Sequence, residues 1–464
     1  MTNIMESKEK GAVLSVMTTS FMVTFIGSAT NLALPSIAND LSSSAIVLSW
    51  IVSGYILASA AFLLPMGRIA DMVGRRKIYL TGVVLFTLFT FLCAVAWSNN
   101  AIILFRVLQG FSASMIYATG MAIISSVIPV RRRGRAMGLS VTATYAGLSL
   151  GPVLGGVMCQ YLGWRSIFYF TALLGILSGA VALFRLRGEW AGARGESFDL
   201  MGCILYMAGL VMILYGFSSI YSAAGAKYLL ITGCVVMAAF VFHEFKASEP
   251  LMDLQLFTRN VPFAFSNLAA MIHYSATFAV GFLISLYLQI VLGYSPRTAG
   301  FVLLAQPVVM ALFSSTAGSL SDRIEPRIIS SGGMGLSAFG LFNFIFLTGT
   351  TPVWLVIGNL MLIGMGFALF SSPNTNAIMA SVDDRFYGVA ASTVSTMRMI
   401  GMAVSMAIVT VLIALYVGDV GPATVHSSVI LKSFRMAFTI FSILCVVGVF
   451  ASLARGNIRK SYHD

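Results

Sequence analysis

The chain has 464 residues, of which 58% are hydrophobic and only 9% carry a charged side chain. A soluble domain carries about 25% charged residues, so this composition excludes a soluble enzyme or binding module. Apolar runs recur from residue 11 to residue 454 and leave no polar stretch long enough for a separate soluble domain. The sequence therefore predicts an all-α, multi-pass membrane protein, because a helix satisfies its backbone polar groups internally in lipid.

The apolar runs divide into fourteen candidate transmembrane segments of helical length. In chain order they cover residues 11–34, 46–66, 78–97, 101–129, 137–161, 166–185, 201–220, 227–245, 261–291, 299–320, 328–348, 352–372, 387–417 and 433–454. The seventh and eighth are short and lie between two better-marked blocks of six.

Lys and Arg fix the expected orientation, because positively charged loops are retained in the cytoplasm. With the N-terminus inside, the cytoplasmic loops hold 21 of the 28 basic residues and the outer loops hold 5. The other two, Arg106 and Arg398, lie inside spans. Both termini are then cytoplasmic. The formal charge of +12 thereby follows from topology, and no nucleic-acid partner is expected.

No cofactor or metal is expected. The five cysteines are scattered singly without a C-x-x-C pair, which is typical of buried free thiols rather than of a zinc site. No Lys follows a Gly, so the chain has no phosphate-binding loop of an ATPase. Energy for any transport must come from an ion gradient or from the substrate's own gradient.

An internal repeat divides the chain. GRIADMVGRRK follows the second span and GSLSDRIEPR follows the tenth, displaced by 251 residues. We call residues 67–77 the loop signature and residues 318–327 the repeated loop. The signature residues are Gly67, Asp71, Gly74, Arg75 and Arg76, and their repeat is marked by Gly318, Asp322 and Arg323.

The repeat predicts two six-helix bundles, residues 1–185 and 261–464, joined by residues 186–260, which carry two extra helices. Transporters are often built from such repeats, with the substrate site between the halves. In the loop signature, Gly67 would allow a close helix approach. Asp71 would accept hydrogen bonds at a helix N-terminus or pair with Arg75. The alternative is a plain loop that only sets topology.

Four further motifs accompany the loop signature. They are NLALPSIANDL at the end of the first span, WIVSGYIL in the second, RVLQG in the fourth and GLSLGPVLGG in the fifth. With these motifs the sequence resembles the major facilitator superfamily, and in it the branch of drug:proton antiporters with 14 spans. The resemblance implies a major facilitator fold in the cell membrane and multidrug efflux of small-molecule substrates by a monomeric secondary transporter.

The fifth-span motif resembles the exporter motif of that branch and is formed by Gly147, Gly151, Pro152, Gly155 and Gly156. Its first three glycines at intervals of four predict a smooth face for another helix, and the proline permits a bend. Such a helix suits a rocking hinge, although ordinary small-residue packing would explain the same pattern.

One departure from the branch concerns coupling. Relatives place an Asp in the first span where this chain has Ile26, and all sixteen acidic residues fall in loops or at membrane edges. Polar candidates for the substrate or the proton are instead Asn31, Arg106, Gln109, His273 and Arg398. His273 could replace the missing carboxylate as a proton carrier, although a satisfied interior histidine explains it equally well.

The two arginines leave two functions open. A guanidinium inside a span stays charged and must find an anion, carbonyl groups, an aromatic face or a wet cavity. We expect an exporter of lipophilic or drug-like compounds, working by alternating access and coupled to protons. The alternative is a specific porter in which Arg106 and Arg398 bind an organic anion or metabolite. Either arginine could also serve only to hold helices together.

Overall fold

The computed structural model describes residues 2–193, 195–247, 249–252, 254–321, 323–382, 387–421 and 425–456. Within these ranges the chain is helical and contains no strand. The α-helices are α1 (Thr2–Leu41), α2 (Ala45–Val73), α3 (Arg75–Ala94), α4 (Asn99–Val127), α5 (Val130–Leu162), α6 (Arg165–Arg185), α7 (Leu200–Ser218), α8 (Ala226–Glu244), α9 (Gln255–Arg259), α10 (Val261–Thr277), α11 (Val280–Leu286), α12 (Pro296–Leu303), α13 (Ala305–Ser321), α14 (Pro326–Phe344), α15 (Val353–Ala380), α16 (Tyr387–Tyr416) and α17 (Ser427–Ala454).

Each predicted segment coincides with a helix or with consecutive helices. Thirteen helical segments of the described chain are long and apolar enough to cross a membrane. The predicted eleventh span corresponds to α14, a 19-residue helix rich in glycine and serine that does not meet that criterion. The total of fourteen spans therefore stays a prediction, as does the cytoplasmic position of the termini.

Two predicted spans are interrupted. The ninth consists of α10, α11 and a π-helical turn at Tyr287–Val291. The tenth breaks at Leu304, between α12 and α13. Pro307 lies in the first turn of α13, where it lacks an N–H to donate to the carbonyl of Leu303, so a continuous α-helix would lose a bond at the break.

The same helix pairings occur twice. In the N-terminal helices, α1–α6, the main contacts join α1 to α5, α2 to α4, and α3 to α4 and α6. In the C-terminal helices, α10–α17, they join α10 to α16, α13 to α15, and α14 to α15 and α17. Each C-terminal pairing corresponds to an N-terminal one in chain order, which is the arrangement that the internal repeat predicts.

The inserted pair, α7 and α8, packs on the outside of both sets. α7 contacts α2 and α16 as well as α8. Tyr206 Oη donates to Ala60 O at 3.0 Å, and the rings of Trp50 and Tyr215 lie 5.3 Å apart. Most of the side chains on α8 are on the surface of the protein. The inserted pair therefore covers the line where α2 meets α16.

Helix α5 touches both sets through its glycines. On one face, Gly147, Gly151 and Gly155 pack against the backbone of α1, and a Cβ at Gly147 would lie 2.6 Å from Phe21 O. On another face, a Cβ at Gly156 would collide with the carbonyl of Pro296 in α12. A Cβ at Gly300 of α12 would in turn collide with the carbonyl of Pro152. α5 thus joins the two sets by close backbone contact.

We expect Gly147→Ala to lower the free energy of unfolding by about 1–3 kcal/mol, because the added methyl group must displace the α1 backbone. Thermal unfolding of the purified protein measures this change. Gly138→Ala is the matched control, since it lies on the same helix with nothing within 4 Å of its added Cβ. Equal melting temperatures for the two variants would contradict the close packing of α5 on α1.

Candidate functional site

The N-terminal and C-terminal helices are sealed against each other at one face of the molecule. Their described hydrogen bonds there join Ala45 N to Val420 O at 3.0 Å, Ser285 Oγ to Asn31 O at 2.6 Å, and Arg297 Nη1 to Tyr161 Oη at 3.1 Å. The loop signature lies at the other face, which we call the signature face. Between described residues, no hydrogen bond joins the two sets at the signature face.

A cluster of aromatic and methionine side chains lies between the sets at mid-depth. It consists of Tyr145 of α5 with Tyr274, Met310, Phe367 and Met402 of the C-terminal helices. Ser314 Oγ and Tyr145 Oη are 3.0 Å apart across the boundary. We call this cluster, together with Arg398 and Thr375 beside it, the central chamber. Aromatic and methionine side chains give it an adaptable apolar wall.

Arg398 is the cation of the central chamber. Its Nη2 donates to Thr375 Oγ1 at 2.6 Å, and its guanidinium carbon lies 5.6 Å from the centroid of the Tyr274 ring. Its Nε is buried without a hydrogen-bond partner. No carboxylate among the described residues forms an ion pair with it. Arg398 therefore keeps donor capacity for an acceptor that the protein does not supply.

Arg106 is placed differently, inside the N-terminal helices. Its Nε donates to Ile51 O at 3.0 Å, its Nη1 to Gln109 Oε1, and its guanidinium lies over the Tyr55 ring at 4.4 Å. Gln109 in turn donates to Thr90 Oγ1. Only 1% of Arg106 is exposed. Arg106 and Gln109 thus form one network that connects α4 to α2 and α3.

His273 is also away from the central chamber. It is fully buried among α10, α15 and α17, with its ring 4.1 Å from that of Phe370. Its Nδ1 is 3.8 Å from Cys445 Sγ, and its Nε2 has no partner. Its neighbour Tyr274 is the residue of that turn that faces the chamber. No described carboxylate pairs with His273.

Asn31 lies at the sealed end, between α1 and α11. Its carbonyl oxygen accepts from Ser285, while its side-chain Oδ1 is buried without a partner. Of the five sequence candidates, the structure therefore places Arg398 in the central chamber, Asn31 at the seal, and Arg106, Gln109 and His273 inside the helix sets.

The loop signature is held by an ion pair and by the first linker, of which residues 186–193 and 195–199 are described. Arg75 Nε pairs with Asp71 Oδ1 at 2.6 Å, and Arg75 Nη1 donates to Ala122 O at 3.2 Å. The pair therefore connects the end of α2 to α3 and α4. Gly74, at a φ of 134°, makes the turn between α2 and α3, where a residue with a side chain would be strained. Gly67 would place a Cβ 3.8 Å from that of Ala118, an ordinary contact.

Sequence reasoning missed the docking of the first linker on this loop. Glu189 Oε1 accepts from the backbone N of Arg76 at 2.8 Å, and Arg76 Nε donates to Leu186 O at 2.6 Å. Backbone bonds also join Arg75 N to Trp190 O and Ala193 N to Asp71 O. Arg68 adds ion pairs to Glu196 at 2.7 Å and to Glu249 at 3.3 Å. The GEW run of 188–190 has no recognisable pattern that would have revealed this contact.

The repeated loop is held by a different residue, Arg455, whose Nη2 donates to Pro326 O at 3.5 Å. Gly318 packs against Ser372, Arg323 takes part in interactions within the protein, and Asp322 lies outside the described residues. Arg455, 1% exposed at the end of α17, donates to Asn374 Oδ1 at 2.9 Å and to Ser266 Oγ at 3.2 Å. Burial lowers the pKa of its guanidinium to about 10, so it stays charged at neutral pH. In the sequence, Arg455 directly follows the last predicted span and counts only as one of the basic residues that set the orientation.

The site holds no candidate metal centre, since the described residues contain no group of three His, Cys, Asp or Glu side chains suited to a metal ion. The described acidic residues lie in loops or in the first or last turns of the predicted spans. In the described part of the chain, the arrangement is an apolar cluster with one cation, closed at one face, with no hydrogen bond between described residues of the two sets at the other. Such a site can bind and move a small molecule.

Comparison with known proteins agrees with this reading. The family model of the Major Facilitator Superfamily matches residues 16–245 and 267–461. The riboflavin transporter RibZ of Clostridioides difficile is 29% identical over 443 residues, which are 95% of this chain and 96% of that protein. The multidrug resistance protein Stp of Mycobacterium tuberculosis is 31% identical over 397 residues, or 84% of this chain and 73% of Stp.

A solved structure has the same fold. The inward-facing, unoccupied crystal structure of a bacterial homolog of the human lysosomal transporter Spinster superposes with a TM-score of 0.70. It is 16% identical to this chain and the match covers 96% of this chain and 97% of the other.

Fold and site together define a multi-pass membrane transporter of small molecules, not an enzyme. The chain belongs to the Major Facilitator Superfamily. The predicted resemblance to its drug-efflux transporters is confirmed by relatives that include a tetracenomycin C resistance and export protein of Streptomyces glaucescens, at 28% identity over 420 residues.

Asp71→Asn should lower the transport rate about fivefold or more while leaving the amount of protein in the membrane unchanged, because it removes the charge that holds Arg75. Vesicle transport assays with parallel immunoblots measure both quantities. Glu9→Gln is the control, since it breaks an ion pair of 3.3 Å with the exposed side chain of Arg132. Unchanged transport in Asp71→Asn would exclude a gating role for the ion pair.

Proposed function

We propose that this transporter exports lipophilic, aromatic compounds that are neutral or anionic, by alternating access and in exchange for protons. The central chamber is the proposed binding site. Arg398 contacts the acceptor group of the substrate, while Tyr145, Tyr274 and Phe367 contact its rings.

This proposal rests on the incomplete hydrogen bonding of Arg398, whose Nε is buried without a partner. A guanidinium at mid-depth costs free energy unless its donors and charge are satisfied. Thr375 and the Tyr274 ring satisfy part of it, and Nε has no partner. A carboxylate, phenolate or carbonyl oxygen on a substrate would complete it. A cationic substrate would instead be repelled, because the described chamber offers no carboxylate to bind it.

Export is supported by the position of the exporter motif. Its glycines let α5 pack against α1 on one side and α12 on the other, at the end of the chamber that is sealed. Opening this seal requires α5 and α12 to separate while α5 stays on α1. We assign the signature face to the cytoplasm, as the charge bias predicts. Substrate would then enter the chamber from the cytoplasm and leave when the seal opens.

His273 is the proposed proton carrier, because the described residues include no carboxylate at mid-depth. His273 lies one residue from Tyr274, a wall of the central chamber, and its Nε2 has no partner. An imidazole in that position can transmit protonation to the chamber through the packing of α10. Movement of α10 against α15 and α17 would expose Nε2 to the proton.

A second candidate is a specific porter for a metabolite that carries a planar ring system. It is favoured by the relative named as a riboflavin transporter, which aligns over nearly the whole chain. In this case Arg398 would act without Arg106, since the bonds of Arg106 to Ile51 and Gln109 lie inside the N-terminal helices. Saturable transport of one flavin-like compound, with no transport of unrelated aromatic compounds, would favour this function over drug export.

Arg398→Met should reduce transport of an aromatic anion such as a fluorescein-type dye about tenfold, because one charge-assisted bond is worth about 1.5–3 kcal/mol. Transport of a neutral aromatic dye of similar size should fall less, because it offers Arg398 no negative charge. Fluorescence of inverted vesicles measures both dyes.

Arg398→Lys should retain part of the anion transport. Lys227→Gln, on the exposed start of α8, is the control for loss of a positive charge outside the chamber. Equal loss for both dyes would contradict a substrate contact at Arg398.

His273→Gln should remove the pH dependence of transport, because glutamine keeps a similar polar contact but cannot carry the proton. Initial rates at a series of pH values measure this effect. His426→Gln, an exposed histidine at the start of α17, should leave the profile unchanged. An unaltered profile in His273→Gln would exclude His273 as the proton carrier.

A further inference from the structure

A second titratable cluster lies on the inserted pair, apart from the central chamber. Glu244, in the last turn of α8, is 3% exposed and is the only buried acidic residue among those that the structure describes. Asp199 caps the N-terminus of α7 directly beside it, and His243 precedes it on α8. These three side chains lie where α7 and α8 meet the second linker, of which residues 245–247, 249–252 and 254 are described.

The two carboxylates face each other across Gly202. A Cβ at Gly202 would lie 3.0 Å from Glu244 Oε1 and even closer to Asp199 Oδ2. The two oxygens are therefore within about 5–6 Å, a distance at which two ionised carboxylates in a buried site repel each other strongly. Only a glycine fits between them.

The hydrogen bonds of the cluster leave one oxygen free. Asp199 Oδ1 accepts from Gly202 N and lies 2.8 Å from His243 Nε2. Glu244 Oε1 accepts from Leu251 N at 3.3 Å and Oε2 from Met252 N at 3.4 Å. Asp199 Oδ2 is buried and has no partner. A buried carboxylate oxygen without a donor is costly, and the carboxyl group of Glu244 lies on the other side of Gly202.

No described Lys or Arg neutralises the pair. From α2, Arg68 pairs with Glu196 of the first linker and Glu249 of the second. Lys246 lies over the ring of Phe242 at 4.1 Å. From α7 the remaining titratable neighbour is the Cys203 thiol, and from α8 it is His243. The imidazole of His243 bonds Asp199 and not Glu244, so the two carboxylates leave a net negative charge unless a proton is added.

We propose that Glu244, Asp199 and His243 form a proton-binding site, in which Glu244 holds one proton beside the buried Asp199 Oδ2. The bound proton removes the repulsion between the ends of α7 and α8 and leaves Glu244 Oε2 free to accept from Met252 N. Loss of the proton loosens the second linker, which leads into α10. The inserted pair is in this way a pH-responsive element. This inference does not depend on the substrate proposed above.

Thermal unfolding of the full-length protein in detergent between about pH 5 and about pH 8 tests the site. The folded state holds a proton that the unfolded chain releases, so the wild-type Tm should fall as the pH rises. Glu244→Gln, whose amide is neutral at any pH, should be more stable than the wild type at the upper pH by about 2–4 °C, with no such gain at the lower pH. Glu249→Gln, in the same linker, should keep the wild-type slope.

Infrared spectroscopy gives a readout that does not depend on stability. At neutral pH the wild type should show a carboxylic acid C=O band that is lost in Glu244→Gln. Asp199→Asn keeps a capping side chain but removes the neighbouring charge, so Glu244 should ionise and the band should weaken. His243→Gln should retain the band. Equal Tm slopes for the wild type and Glu244→Gln, or a band unchanged in both carboxylate variants, would overturn the proposal.

Discussion

A charge inside a membrane must find its partners within the protein, and this constraint organises the structure. Three buried or half-buried guanidinium groups meet it in different ways. Arg106 uses a carbonyl, an amide and a tyrosine ring, and Arg455 uses an amide and serine hydroxyls at the end of the C-terminal helices. Arg398 has a hydroxyl and a ring only, with Nε unpartnered. The first two are satisfied within the helix packing, while the third retains an unpartnered donor.

The second organising feature is the close approach of backbones around α5. Lipid supplies no hydrophobic force between helices, so their association depends on tight packing, to which small residues contribute. Gly147, Gly151 and Gly155 bring α5 against α1, while Gly156 and Gly300 bring α5 against α12. Contacts of the first kind lie within one set, and contacts of the second kind lie between sets. One helix therefore takes part both in a rigid bundle and in the seal that must open.

Several of these features could be predicted from the sequence because they depend on local pattern. The helices, the Asp71–Arg75 pair and the glycine face of α5 follow from hydropathy and from spacings of four. The orientation of Arg106 and Arg398 could not be derived, since helices that are apolar on all sides give no indication of which face is inside. The burial of Arg455 and Glu244 could not be predicted from the sequence pattern either, because each is buried only where segments distant in sequence pack against it. The break at Leu304 is consistent with Pro307, whereas the π-helical turn at Tyr287–Val291 has no comparable sequence signal.

The central claim is that the chamber binds substrates through a cation with no opposing carboxylate. The most direct measurement uses wild-type protein in proteoliposomes, with uptake and internal pH followed together for a matched series of aromatic compounds that differ only in charge. We expect saturable movement of the anionic and neutral members with opposite proton movement, and no movement of the cationic member. Preferential transport of the cation would contradict this claim.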